Sequence, residues 1–259
     1  MLRLIVWTAA IWFVLVFFTG CSQQNDGNLK ASHKVSDQRV IKGDDAKVVD
    51  AADAKTPPIN VTTYYTVGLL LENQGNFAGA IEKFTQTLKL DPHHINASNH
   101  LGLCYLKLRN FEPAQIAFGQ AIRQSPNQAY LHNNLGFAYL MDNKFPNAQA
   151  ELKHALSLDP NFTRAHQNLA VTLAKQGKTD DALKHFLKSG SESEANYNLA
   201  LILHSQSKFD QAEKYYKLAL KSNSEFQPAR KGLDQLKSER SSKIIKMSES
   251  NSLRPRLEK

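Results

Sequence analysis

The sequence is short of the residues that carry most protein chemistry. Among its 259 residues are two cysteines, Cys21 and Cys104, too few for a disulfide framework. No glycine-rich phosphate loop, no serine elbow and no cysteine–histidine pair with supporting context occurs anywhere along it. Runs of alternating β-branched residues are nearly missing, which sets aside a sheet protein, while helix formers fill the middle. Charge of one sign is scarce as well, except at the end. The net charge is +8, yet residues 1–60 carry 7 basic and 6 acidic side chains and residues 61–226 carry 16 and 14. Residues 227–259 carry 9 and 4, so five of the eight net charges sit in the last 33 positions. A near-neutral middle offers no groove for nucleic acid, and no nucleic-acid partner is expected. These absences predict an all-α chain without catalytic, cofactor-binding or metal-binding residues.

What is present begins with a signal. Arg3 precedes Leu4 through Phe18, fifteen residues that are apolar except for Thr8, followed by Thr19-Gly20-Cys21. That stretch is too short to span a bilayer comfortably, and the polar "SQQNDGN" after Cys21 ends it abruptly. Phe18-Thr19-Gly20-Cys21 resembles the lipobox of bacterial lipoproteins, with Phe18 in place of the usual leucine. The resemblance implies a signal peptide over residues 1–20 and a lipid-modified Cys21 as the first mature residue. Ser22, not aspartate, further implies an outer-membrane lipoprotein facing the periplasm of the bacterial cell envelope. Acyl chains contribute roughly 0.8 kcal/mol per buried CH₂, so several of them hold a protein on a membrane essentially permanently. Cys104 would then be the sole thiol of the mature fold, and its place on the apolar side of a helix predicts a buried structural role.

Residues 21–60 are rich in Asp, Lys, Ser, Asn and Gln, with Pro57-Pro58 near their end. They read as a flexible tether with a reach on the order of 35 Å. Beyond it the chain repeats. Ala80, Ala114, Ala148, Ala182 and Ala212 recur at intervals of 34, 34, 34 and 30. Val67, Leu101, Leu135, Leu169 and Leu199 keep the same step, each followed by a small residue: Gly68, Gly102, Gly136, Ala170 and Ala200. Leu71, Tyr105, Tyr139, Leu173 and Leu203 come next, then Phe84, Phe118, Leu152, Phe186 and Tyr216, with Pro92, Pro126 and Pro160 closing three units. This pattern resembles the tetratricopeptide repeat (TPR). It implies a right-handed solenoid of five helix-turn-helix units over 61–94, 95–128, 129–162, 163–192 and 193–226. A capping helix is expected over 227–240 and a basic, disordered tail over 241–259.

Each residue class in the pattern has a physical task. Gly or Ala at the paired small position lets two antiparallel helices cross closely. Pro113 and Pro146 fall in the first turn of second helices, where the missing N–H is harmless. Gly75 and Gly177 suit turns between helices. The fourth unit is four residues short and lacks the closing proline, which predicts a shortened second helix or a tightened link.

Numbering each unit from its start, at about 100° per residue, puts places two, six, nine and thirteen on one face of the first helix. TPR folds turn that face into a concave groove. The candidate contact residues there and beside it are Asn96, Asn99, His100, Tyr130, Asn133, Asn134, Phe137, Arg164, Asn168 and Asn198. Amides carry donors and an acceptor, so a row of them can pair with the backbone of an extended peptide. TPR asparagine ladders are known to do so. Packing between adjacent first helices is the other use for the same amides. His132 and His166 share place four, where a metal would need further ligands. The resemblance implies a lipid-anchored adaptor that binds a protein or peptide in its groove. It is similar in architecture to the TPR lipoproteins of tight-adherence (Flp) pilus assembly. A docking regulator of cell-wall enzymes or proteases, and contact of the basic tail with peptidoglycan or acidic polymer, are the alternative readings.

Overall fold

The computed structural model describes residues 60–252, with side chains described as far as residue 243. The expected signal peptide, Cys21, the tether as far as residue 59 and the chain beyond 252 therefore lie outside the described residues.

Helices begin where the sequence supplies caps. Asn60 Oδ1 accepts the Thr63 N–H at 2.9 Å, Asn76 Oδ1 that of Gly79 at 3.0 Å, and His94 Nδ1 that of Ala97 at 3.0 Å. Ser191 and Glu194 form a reciprocal capping box, whose hydrogen bonds hold the Glu194 carboxyl below its ordinary range. Eleven helices and no strand are found among the described residues. They pair as α1 (Val61–Asn73) with α2 (Phe77–Leu90), and α3 (Ile95–Lys107) with α4 (Phe111–Gln124). The next pairs are α5 (Ala129–Met141) with α6 (Phe145–Leu158), and α7 (Thr163–Lys175) with α8 (Thr179–Leu187). The last pair is α9 (Glu192–Ser205) with α10 (Phe209–Ser222), and α11 (Gln227–Ser252) follows alone.

The turn inside every hairpin is the same. One residue takes a left-handed conformation: Gly75 at φ 76°, Arg109 at 60°, Asn143 at 59°, Gly177 at 81° and Ser207 at 59°. The following N–H then donates to a carbonyl five residues back, as from Asn76 to Leu71 and from Lys144 to Tyr139, both at 2.9 Å. The second helices stop at Leu90, Gln124 and Leu158, shortly before Pro92, Pro126 and Pro160.

Within a hairpin the two helices meet where one residue has no side chain to offer. A Cβ added at Gly102 would stand 2.6 Å from the Phe118 ring; one at Gly68 would stand 2.6 Å from Phe84. Phe84, Phe118, Leu152, Phe186 and Tyr216 are all fully buried behind these crossings. Each contributes on the order of 1.5–3 kcal/mol by leaving water. Between hairpins, each first helix also touches the first helix of its neighbour, from α1–α3 through α9–α11. The result is the all-α stack of hairpins that the repeat pattern predicts. The shortness of the fourth unit falls on α8, which has 9 residues where the other second helices have 14, while α9 has 14 where the other first helices within hairpins have 13.

The last helix corrects an expectation. The repeat pattern predicts a capping helix over 227–240 and a disordered tail beyond, whereas α11 continues to Ser252. Two contacts carry it past that point. Arg240 pairs with Asp210 and Glu213 of α10 at 2.9 Å each, and the Lys243 ammonium lies 5.7 Å from the centre of the Phe209 ring. No glycine or proline interrupts the chain between Gly232 and Pro255. Ala229, Leu233 and Leu236 are the buried side of α11, and its other side is wet.

Replacing Gly102 by Val should force the Phe118 ring from its site and lower stability by about 1–3 kcal/mol. Thermal unfolding followed by circular dichroism measures this; an unchanged midpoint would remove the close crossing as the reason for a small residue there.

Candidate protein-binding groove

The first helices α1, α3, α5, α7 and α9 lie side by side, so places two, six, nine and thirteen of successive units form neighbouring rows. Along the row at place nine, Leu103, Phe137 and Val171 are buried and make an apolar floor. Beside them lie the amides, which the structure pairs with one another across the first helices. Asn99, Asn133, Asn134 and Asn168 are exposed by only 9%, 1%, 6% and 5%. Asn168 Nδ2 donates to Asn133 Oδ1 at 2.9 Å, Asn133 Nδ2 to Asn134 Oδ1 at 3.3 Å, and Asn134 Nδ2 to Asn99 Oδ1 at 2.9 Å. These four do not stand free as a row awaiting a peptide. They form one relay running from α7 through α5 to α3, with every donor pointing the same way.

The reason is spacing. Each cross-helix bond joins residues 35 apart, one repeat plus one position, which brings place six of a unit against place five of the unit before. The relay stops at Asn168. Place five of the fourth unit holds Gln167 in place of asparagine, and half-buried Asn198, at place six of the fifth, has no amide partner among the described residues. A neutral hydrogen bond contributes about 0.5–1.5 kcal/mol net, but a buried amide left unpaired costs about 1–3 kcal/mol, so the relay ties three hairpins into one register.

The other candidates have different surroundings. His100 Nδ1 lies 2.7 Å from Glu72 Oε2, joining α3 to α1. Tyr130 is half-buried, and burial raises its phenol above the ordinary range. Asn96 is exposed and Arg164 half-buried. Place thirteen of the same face, where the sequence pattern names no candidate, holds Lys175, exposed and 11 positions after Arg164, hence on the same side of α7. Neither cation has an ion-pair partner among the described residues. Glu72 of α1 and Glu194 of α9 are engaged with His100 and Ser191. This face of the first helices thus combines amides that are already hydrogen-bonded with positive charge that has no ion-pair partner among the described residues. Cys104 is fully buried in the packing of the first hairpins, and burial pushes its thiol up to about 12, so it stays protonated and unreactive.

Asn133→Ala should cost about 1–3 kcal/mol in urea unfolding, because it strips a partner from both Asn168 and Asn134. Asn96→Ala should stay within about 0.5 kcal/mol. Equal costs for the two would mean that the relay contributes nothing.

The chain matches two family profiles, each described as tetratricopeptide repeat: one over residues 72–136 and 139–196, the other over 168–228. No curated protein gives a match. Among solved structures, a crystal structure of MamA protein is similar at 24% identity, covering 64% of this chain and 93% of that one with a TM-score of 0.55. YrrB, described as a TPR protein with an unusual peptide-binding site, is similar at 21% identity, with 66% and 90% covered and a TM-score of 0.53. A thermophilic TPR protein of Thermus thermophilus, TTC0263, matches at 20% identity over 68% and 98% with a TM-score of 0.50. At these identities the likeness is one of fold. Together the repeated motif, the eleven-helix stack and the two profiles establish that this chain belongs to the tetratricopeptide-repeat family.

Proposed function

We propose that the chain is a lipid-anchored adaptor: moored through Cys21, it holds a protein partner on the inner side of its first helices within an assembly of the bacterial envelope. Proteins of this repeat family mediate protein–protein and peptide binding, and the family is typically one of scaffolds, not enzymes. The observation that carries the proposal is the uncompensated charge of Arg164 and Lys175 above a floor whose own polar groups are already satisfied. A folded protein gains nothing internal from leaving two cations, half-buried Arg164 and exposed Lys175, on one side of a helix without carboxylate partners. A partner segment bearing carboxylates would supply them, with Tyr130 as an apolar neighbour and Asn96 and Asn198 as spare amides.

Anchoring rests on the lipobox-like Phe18-Thr19-Gly20-Cys21, with Ser22 favouring the outer membrane and a periplasmic site of work. Pilus or secretion biogenesis is the assembly we assign, on the shared arrangement of a lipobox followed by a small set of repeats.

The two halves of the proposal fail separately. Crosslinked capture from envelope fractions should lose its partner at least about fivefold in an Arg164→Glu, Lys175→Glu double variant, as expected when charge complementarity is reversed. Equal recovery by wild type and variant would contradict groove binding. Cys21→Ser should move the protein from the membrane to the soluble fraction; a variant that stays with membranes would contradict the lipid anchor.

A further inference from the structure

His132 and His166 occupy the same place in consecutive hairpins, and both are buried, exposed by 7% and 5%. Each uses one nitrogen identically. His132 Nε2 lies 2.8 Å from the carbonyl of Pro126, and His166 Nε2 lies 3.0 Å from that of Pro160. A carbonyl only accepts, so both Nε2 atoms carry a proton and each ring clasps its hairpin to the end of the preceding one.

The second nitrogen distinguishes them. His132 Nδ1 faces Glu151 Oε2 of α6 at 2.8 Å, whereas His166 Nδ1 faces His185 Nδ1 of α8 at 2.9 Å. Glu151 and His185 are themselves equivalent, each 19 residues after its histidine. Against a carboxylate, a second proton on His132 forms a charge-assisted bond. Between two imidazole nitrogens there is room for one proton and not two. If both His166 and His185 become imidazolium, N–H points at N–H and like charges meet inside the fold.

We propose that the α7–α8 hairpin contains a proton-operated clasp, closed at neutral pH by the His166–His185 hydrogen bond and opened by acid, while the α5–α6 hairpin beside it stays closed. The groups around His185 keep the clasp closed at neutral pH. Burial first, then His166, then Lys188 and Lys153 all oppose its protonation, against Asp181, and none of these groups comes from α9. Its proton affinity is therefore below the ordinary value of 6.5. A histidine lowered in the folded state contributes stability that is complete above about 6.5 and lost as pH falls through the lower folded value. In the neighbouring hairpin, the His154 ring lies tilted against that of His132 with ring centres 4.2 Å apart, but it is exposed, so water screens any charge it carries.

The clasp sits in the hairpin least able to resist it. Nine-residue α8 is the shortest helix among the described residues. Its partner α7 bears Asn168, the end of the amide relay, together with Arg164 and Lys175, so opening would disturb the inner side of the stack from one end.

Hydrogen exchange resolved by segment, on the full chain, tests this after correction for the intrinsic rate at each pH. Between about pH 7.5 and about pH 5, protection over residues 179–187 should fall at least about tenfold, while protection over 145–158 should change less than about threefold. His185→Glu, which copies the neighbouring arrangement, should abolish the fall. His185→Gln, whose amide can donate to His166 without titrating, should abolish it too. An equal fall in both segments, no fall over 179–187, or a fall that survives both substitutions would overturn the clasp.

Discussion

The fold depends on one close contact repeated along the chain: a residue without a side chain, or with only a methyl group, set against a large buried one. Gly68, Gly102 and Gly136 face Phe84, Phe118 and Leu152 so tightly that no added Cβ fits without displacement. Ala170 and Ala200 stand at the same place before Phe186 and Tyr216 and are fully buried. Once two helices cross that closely, their relative angle is set, and each hairpin offers its neighbour the same two surfaces. Stacking follows, and stability becomes a sum of neighbour contacts. The last helix uses the same device: Gly232 meets the Tyr216 ring, where an added Cβ would stand at 2.6 Å.

That geometry gives the amides their role. Hairpins stacked in this way bring place six of one unit beside place five of the unit before, and amides at both places can pair there. The relay from Asn168 to Asn99 thus serves as a register for three hairpins and engages four of the candidate amides with one another. What remains on the inner side is fewer residues with more charge. On the proposed reading, specificity would lie in those charges, which a partner bearing carboxylates would complete.

Much of this was legible in the sequence, because a packing solution used five times writes itself five times. Helix number, hairpin pairing, the small residue opposite the large one and the shortened fourth unit all show as spacing. The turns were only half legible. Gly75 and Gly177 announce a left-handed residue, but Arg109, Asn143 and Ser207 adopt the same conformation because the hairpin imposes it. The site was harder to read. A face assignment at about 100° per residue treats each helix alone, so Asn133 and Asn134 count as contacts when their partners are one helix away. Spacing of 35 between amides was visible all along; its meaning required knowing how far apart first helices stand. The extension of α11 beyond residue 240 was hidden by a polar composition, since its support comes from Asp210, Glu213 and Phe209 on another helix.

The central claim is that the inner side of the first helices, not the outer side of the second, meets the partner. A photo-crosslinking amino acid placed at Tyr130, on α5, or at Ile116, exposed by 65% on α4, reads this directly in intact envelopes. The account predicts a discrete adduct from position 130 and none from position 116. An adduct from 116 alone would contradict it.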